Sequence, residues 1–385
     1  MGNAAPFLFD VTRLVWRRWA GRYPTGVDRV CLAYLRHFSR DAQAVVQHRR
    51  FRRILDSRSS AALFELLAEP NPSFKPRFVS QILASATRSR VAGEGRLYLN
   101  IGHTGLGEEG FRRWLREADV RPVYLVHDLI PITHPEFCRA GEGDRHRARM
   151  NTILTTATGV IGNSQATLAS LASYARSSGL PQPPALAAWL GSTSLPRQDA
   201  TVAPASRPTF VMLGTIEGRK NHLMVLHVWT RLVQKLGSRA PQLLIIGQRG
   251  WECEQAIDLI ERSETLRGSV IEIGRCGDHE LAGHLASARA LLFPSLAEGF
   301  GLPLIEALSS GTPVIASDLD VFREIGQGIP DFLDPIDGPA WERMILAYAE
   351  EKSGAREAQI KRIAGYRAPT WEDHFSEVDR WLTAL

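Results

Sequence analysis

Glu298–Asp318, EGFGLPLIEALSSGTPVIASD, is the stretch from which the rest of the chain can be read. Ahead of it lies an apolar run, Ala288–Pro294 (ARALLFP), with the character of a buried strand. A second such run, Pro313–Ala316, closes it. Between them the spacing turns helical: Leu304, Ile305 and Leu308 share one face, and Gly311 is placed to end the helix. Glu298 therefore sits on a strand-to-helix loop and Glu306 on the first turns of the helix. Gly299 and Gly301 carry no Cβ, so backbone there can press against a ligand. The helix N-terminus offers free N–H groups and a positive dipole end to an anion. Ionised carboxylates accept hydrogen bonds from vicinal hydroxyls. The combination points to a ligand with both phosphate and sugar.

The chain has 385 residues, enough for two domains of ordinary size. At 44% hydrophobic and 23% charged residues it reads as globular. No apolar run approaches the roughly 18 residues that a spanning helix needs. In the N-terminal stretch MGNAAPFLFDVTRLVW the arginines follow the apolar run, so it does not read as a signal peptide. Pro6 stands where a myristoylation signal has Ser or Thr. Cys31, Cys138, Cys253 and Cys276 are scattered without CxxC, and read as reduced thiols rather than a disulfide framework or zinc site. The expected location is cytoplasmic, with peripheral attachment to the inner face of the membrane as an extension. Residues 1–100 hold 17 Lys+Arg against 7 Asp+Glu, while the whole chain is only +5. Such a basic N-terminal half fits an anionic partner such as a lipid surface, a lipid pyrophosphate or nucleic acid. General use of arginine for lysine would produce the same imbalance.

Phe7–Phe9 reads as the first buried strand. Val11–Tyr23 (VTRLVWRRWAGRY) interleaves apolar and aromatic residues with four arginines, as an interfacial segment would, or as a partly ordered loop packed on the domain. Thr25-Gly26 opens an amphipathic helix. Residues 44–47 form a candidate second strand, and 49–95 read as mostly helical and polar. Leu97–Ile101 is a strand delivering Asn100 and His103 to a loop at its C-terminal end, where ligands bind in open α/β sheets. Val123–Val126 likewise delivers His127-Asp128. Val160–Ser164 is a strand and turn, with Ser164 able to N-cap the helix that follows. The Ser-, Thr- and Pro-rich segment 193–208 reads as an interdomain linker. After it, Phe210–Leu213 runs into Gly214–His222 (GTIEGRKNH), a loop that opens a helix.

E-x7-E inside EGFGLPLIEA…GTPVIAS, together with VHDLIPITHPE at 126–136 and GTIEGRKN at 214–221, resembles glycosyltransferase family 4. These are retaining nucleotide-sugar transferases of the GT-B fold. The resemblance implies an α/β chain of two Rossmann-like domains facing across a cleft: 1–192 on the acceptor side, 209–367 binding the donor, and a C-terminal helix, 368–385, returning to the first domain. It implies that Glu306 holds the ribose hydroxyls and that Glu298 and His127 lie by the donor sugar. Arg219 and Lys220 would bind the donor diphosphate, with Gly214 and Thr215 in the same loop. The backbone of Phe300-Gly301-Leu302 would contact sugar hydroxyls, and the backbone near Arg275-Cys276 would flank the base. Gly26, in TGVDRV, resembles the loop facing donor and acceptor; Asn100 and His103 are further acceptor-side candidates.

The implied reaction is hexosyl transfer to a glycan or lipid-linked saccharide in polysaccharide or lipopolysaccharide assembly. The nucleotide sugar is a co-substrate, and neither cofactor nor metal is required. RKN-type relatives are often mannosyl- or rhamnosyltransferases, which favours GDP-mannose. With His127 and Lys220 on different domains, closure would complete the site. Asp318-Leu319-Asp320 spells D-x-D, but it follows a strand within this context and is discounted as a metal motif. There is no HExxH or P-loop. No nucleic-acid-binding module stands out, so no nucleic-acid partner is expected. The rival readings are a catalytically silent, membrane-associated scaffold of a polysaccharide complex and a GT-B sugar-nucleotide epimerase or phosphorylase.

Overall fold

The computed structural model describes residues 5–21, 26–49, 51–69, 73–86, 91–192, 195 and 207–385. Most of the expected linker, and residues 22–25 of the Val11–Tyr23 and Thr25-Gly26 readings, lie outside them. The chain divides into two compact units. The first comprises Met1–Ile132, Gly141–Leu190 and Trp371–Leu385; the second comprises Thr133–Ala140 and Gly191–Thr370.

The first unit holds strands β1 (Phe7–Asp10), β2 (Ala42–His48), β3 (Phe51–Ile54), β4 (Arg96–Asn100), β5 (Val120–Val126), β6 (Gly159–Gly162) and β7 (Ala185–Ala187). The second holds β8 (Thr209–Leu213), β9 (Gln242–Ile246), β10 (Val270–Ile273), β11 (Ala290–Phe293), β12 (Val314–Ser317) and β13 (Asp331–Leu333). Sheet order is β3-β2-β1-β4-β5-β6-β7 in one and β10-β9-β8-β11-β12-β13 in the other. Every pairing is parallel except β2 with β3. Parallel sheets are covered by helices on both faces, which is why their strands read as unbroken apolar runs. The second sheet has the doubly wound order 3-2-1-4-5-6 and the first the same order with a seventh strand added, and ligands bind at the carboxyl ends where that order reverses. The reversal lies between β1 and β4 in one unit and between β8 and β11 in the other.

Of the two readings of Val11–Tyr23, the partly ordered loop is corrected. Residues Thr12–Trp19 form a helix, not a loop. Its Leu14 and Val15 are buried, Trp16 packs on His48 and Trp19 on Phe78. Arg13 and Arg17 both pair with the buried Asp28, at 2.6 and 2.8 Å. The arginine-rich face is thus partly neutralised by a carboxylate 15 residues on, which local patterning did not reveal. In 49–95 the helices Ser57–Ala68 and Phe74–Ala86 are present, but Phe51–Ile54 is a strand antiparallel to β2. Four residues of FRRI are too short to display an alternation. The last strand of the first sheet is Ala185–Ala187.

The helix Trp371–Ala384 is part of the first unit. Phe375 stacks on His37 at 3.9 Å and meets Tyr34 edge-on, and His374 bonds Tyr34 Oη at 2.9 Å and the Trp189 carbonyl at 3.0 Å. Among the described residues no helix is long and apolar enough to cross a membrane. The second unit's core is built on Phe210, Trp229, Leu292 and Trp341, all essentially buried. Trp229 also donates its Nε1–H to the Pro241 carbonyl at 3.0 Å. Trp229→Ala removes that bond and leaves a cavity, and should cost about 3–5 kcal/mol in urea unfolding of the full chain. A loss below about 1 kcal/mol would mean that this core does not hold the unit together.

Candidate active site

In the second unit, the loop after β8 meets the loop after β11 at the reversal point. Backbone ties them first: Leu296 N–H donates to the Arg219 carbonyl at 2.8 Å. Asn221, in the left-handed conformation (φ 59°), donates its Nδ2 to the carbonyls of Pro294 and Pro335 at 3.2 and 2.7 Å. The Asn of RKN is therefore a clamp between loops.

Side chains complete the junction. Glu298 Oε1 pairs with Lys220 Nζ and accepts from Ser295 Oγ at 2.9 Å; its Oε2 pairs with Arg219 at 2.9 Å. Arg219 also donates to the Ala297 carbonyl at 3.0 Å and faces Glu217 at 2.7 Å. Lys220 lies 4.9 Å from the Phe293 ring centroid. Glu217, Lys220 and the Glu298 side chain are nearly buried.

Burial would raise Glu298, but Arg219 and Lys220 overcome it and hold the carboxyl down to about 2. Glu217 goes the other way: its burial outweighs the same cations and pushes it up. Burial pulls Lys220 below its ordinary value despite Glu298. The two carboxylates thus differ in role, one firmly ionised and one drawn towards neutrality.

Gly214 lies beside this cluster; a Cβ there would stand 3.8 Å from Lys220 Nζ. Thr215 follows it, half-buried. Gly301 N-caps the helix Leu302–Ser309 at φ 113°, where a Cβ would come within 2.8 Å of Phe322. Only glycine lets the loop enter the helix at that angle. Phe300 is buried, Leu302 is the first helical residue, and Glu306 lies one turn on, 5% exposed. Arg275 and Cys276 lie on the loop after β10, Arg275 exposed and Cys276 half-buried. Asp318 of the D-x-D is spent on a bidentate pair with Arg323.

In the first unit, His127 Nε2 lies 2.8 Å from the Ile101 carbonyl, and His103 Nε2 lies 2.7 Å from the Leu125 carbonyl. A carbonyl only accepts, so each ring carries its proton on Nε2. Their ring centres are 5.3 Å apart, with His146 6.2 Å from His103. Burial lowers His127 to about 4 and holds His103 well below its ordinary value, so both are neutral near pH 7. Asn100 is fully buried, and its amide closes its own loop through Thr104 and Tyr98. That leaves the acceptor-side expectation no free polar group on Asn100. Gly26 is the exposed first residue of the helix Gly26–Phe38. Ser164 N-caps the helix Gln165–Ser177 through Thr167 N–H at 3.0 Å.

Sequence reasoning missed Glu217, Ser295 and His146 as members of these clusters. Glu217 had a signal: an acid two residues before a basic pair. His146 lies mid-helix and had none.

The glycosyl transferases group 1 family model matches residues 197–327, which span this junction. Over these residues the chain is similar to the group 1 glycosyl transferases, and its two-sheet fold is that of the GT-B glycosyltransferases. It is 29% identical over 235 residues to the serotype-specific mannosyltransferase WbdA of Escherichia coli, covering 55% of this chain and 28% of that protein. It is 34% identical over 161 residues to the O-antigen chain mannosyltransferase B of Escherichia coli, covering 42% of each. The chain thus spans less than half the length of these curated relatives. In fold, it is similar to Anabaena HepE in complex with UDP-glucose (TM-score 0.67, 14% identity, 98% of this chain and 99% of that one). It is also similar to sucrose-phosphate synthase from Thermosynechococcus elongatus (TM-score 0.61, 19% identity, 98% and 99%).

Glu298→Gln keeps the shape of the GT-B junction but leaves Lys220 buried without its counter-charge. It should lower unfolding free energy by about 3–5 kcal/mol. The carboxyl titrates at about 2 in the folded chain against an ordinary 4.5, so the unfolded chain binds more protons between those values. Its contribution is present above about pH 4.5 and is lost as pH falls towards 2. Stability measured against pH should therefore decline less steeply across that window in Glu298→Gln than in the parent. Equal slopes would remove Glu298 from the junction.

Proposed function

We propose that this chain transfers a hexose from a nucleotide sugar to a glycan or lipid-linked saccharide in polysaccharide or lipopolysaccharide assembly. Transfer proceeds with retention of configuration and without a metal. The supporting observation is the junction of Arg219, Lys220 and Glu298 at the reversal point of the second sheet, beside a glycine-capped helix N-terminus. Two fixed cations and the positive dipole end of the helix Leu302–Ser309 suit a leaving nucleoside diphosphate, whose charge grows as the glycosidic bond breaks. Glu298 holds both cations in place before the ligand arrives, and in this reading it also borders the donor sugar. Glu306 receives the ribose hydroxyls. Neutral His127 keeps its Nδ1 as an acceptor for a sugar hydroxyl, and the departing phosphate takes the acceptor's proton.

The similarity to mannosyltransferases makes mannose the preferred sugar, and GDP-mannose the first donor to try. The basic N-terminal residues extend the proposal to an anionic membrane surface on the cytoplasmic side, where a lipid-linked acceptor would be presented.

The test is calorimetric titration with GDP-, UDP- and dTDP-sugars, followed by transfer assays with saccharide acceptors, each in EDTA and in Mg2+. One nucleotide sugar should bind equally in both media, and Glu306→Ala should abolish binding. Lys220→Ala should cut turnover by about 100-fold or more. Binding of no nucleotide sugar in either medium, or full turnover by Lys220→Ala, would refute the reading and bring the silent-scaffold alternative forward.

A further inference from the structure

The loop after β10 and the helix it enters, Asp278–Ser287, carry a second group of reactive side chains. Glu280 and His284, four residues apart, share one side of the helix, and Cys276 lies on the loop two residues before it. One ligand-type atom from each lies within 4.8 Å of the others, the one such grouping of His, Cys, Asp and Glu among the described residues. His284 Nε2 is shielded from solvent and has no hydrogen-bond partner. It lies 3.7 Å from Glu280 Oε1, too far for a hydrogen bond. Cys276 Sγ makes a long contact, 3.6 Å, to the carbonyl of Gly277, and its thiol also hydrogen-bonds Glu280.

A shielded imidazole nitrogen beside a carboxylate and a thiol is costly as it stands, because a buried polar atom without a partner forfeits its solvation. A cation would satisfy all three groups at once. Zinc bonds to nitrogen and oxygen run about 2.0–2.2 Å, which sets neighbouring ligand atoms of a tetrahedron about 3.4 Å apart. The observed 3.7 Å is close to that edge. Thiolate, imidazole and carboxylate together favour a borderline-soft ion over Mg2+ or Ca2+, which take oxygen ligands.

We propose that Cys276, Glu280 and His284 form a binding site for a divalent transition-metal ion of the zinc class, with a fourth position left to water. On binding, the Cys276 thiol gives its proton to solvent and the sulfur takes the metal in its place. The ion pins the loop after β10 to the helix behind it. This reverses the reading of the cysteines as plain thiols, whose scattered spacing concealed a Cys-x3-Glu-x3-His pattern. The site lies outside the Arg219–Lys220–Glu298 junction, and the ion takes no part in the proposed transfer, which uses no metal.

The full chain, stripped with a chelator and freed of it, is titrated with Zn2+ by calorimetry and with Co2+ by absorption. One ion per chain should bind, and Co2+ should give thiolate-to-metal charge transfer. Cys276→Ser and His284→Ala should each weaken binding by at least about 100-fold, more than loss of an outer-sphere partner costs. Glu280→Gln, at an exposed position that folding tolerates, serves as the third variant and should weaken it too. No stoichiometric Zn2+ binding by the parent, or an unchanged cobalt spectrum in Cys276→Ser, would overturn the proposal.

Discussion

The carboxylate of Glu298, buried between Arg219 and Lys220, is the interaction on which the second unit's site depends. Removing one partner of such a group strands a charge in a poorly solvated place, which costs far more than the intact group contributes. The loop after β8 and the loop after β11 therefore stand or fall together. Strand order makes the meeting possible. Only at the reversal between β8 and β11 do two carboxyl-end loops diverge to opposite faces and leave a crevice. The backbone bond from Leu296 to Arg219 and the clamp by Asn221 fix the loops before any charge is counted.

Charge in this junction is balanced in number but not in character. Two cations face two carboxylates, yet burial draws Glu217 towards neutrality while Glu298 stays ionised. The cations are consequently oriented without being fully spent. Preorganisation of this kind is what an enzyme needs where charge develops during reaction, since groups already in place need no reorganisation at the barrier. The first unit has its own polar cluster at the β1–β4 reversal. There Asp10, almost fully buried, accepts from Tyr98 Oη at 2.6 Å and from Gln47, with Thr12 N–H at 3.0 Å. Burial raises its pKa against those bonds. This network, with Asn100, fixes the loop that carries His103.

Much of this was legible in the sequence, because parallel strands buried on both faces announce themselves as apolar runs. The runs at 210–213 and 288–294, with the glycines that follow them, marked the two strand-to-helix loops of the second unit's site. Gly301 was recognised for its lack of a Cβ, and the structure supplies the reason in Phe322. What stayed hidden were relations between distant residues of ordinary local character. Asp28 neutralises two arginines of the preceding helix, Glu217 shares the cations with Glu298, and His146 completes a histidine group from mid-helix. The strand Phe51–Ile54 was missed because four residues with two arginines carry no period. Asn100 was read from its place at a strand end, but its amide is absorbed by loop closure, a competition that only three-dimensional accounting exposes.

The most direct measurement is a crystal structure of the chain with the nucleoside diphosphate it binds most tightly. The account predicts diphosphate oxygens within hydrogen-bonding distance of Arg219 and Lys220, at the N-terminus of the helix Leu302–Ser309, with the ribose hydroxyls on Glu306. A diphosphate bound elsewhere, with the Arg219–Lys220–Glu298 junction closed and untouched, would contradict it.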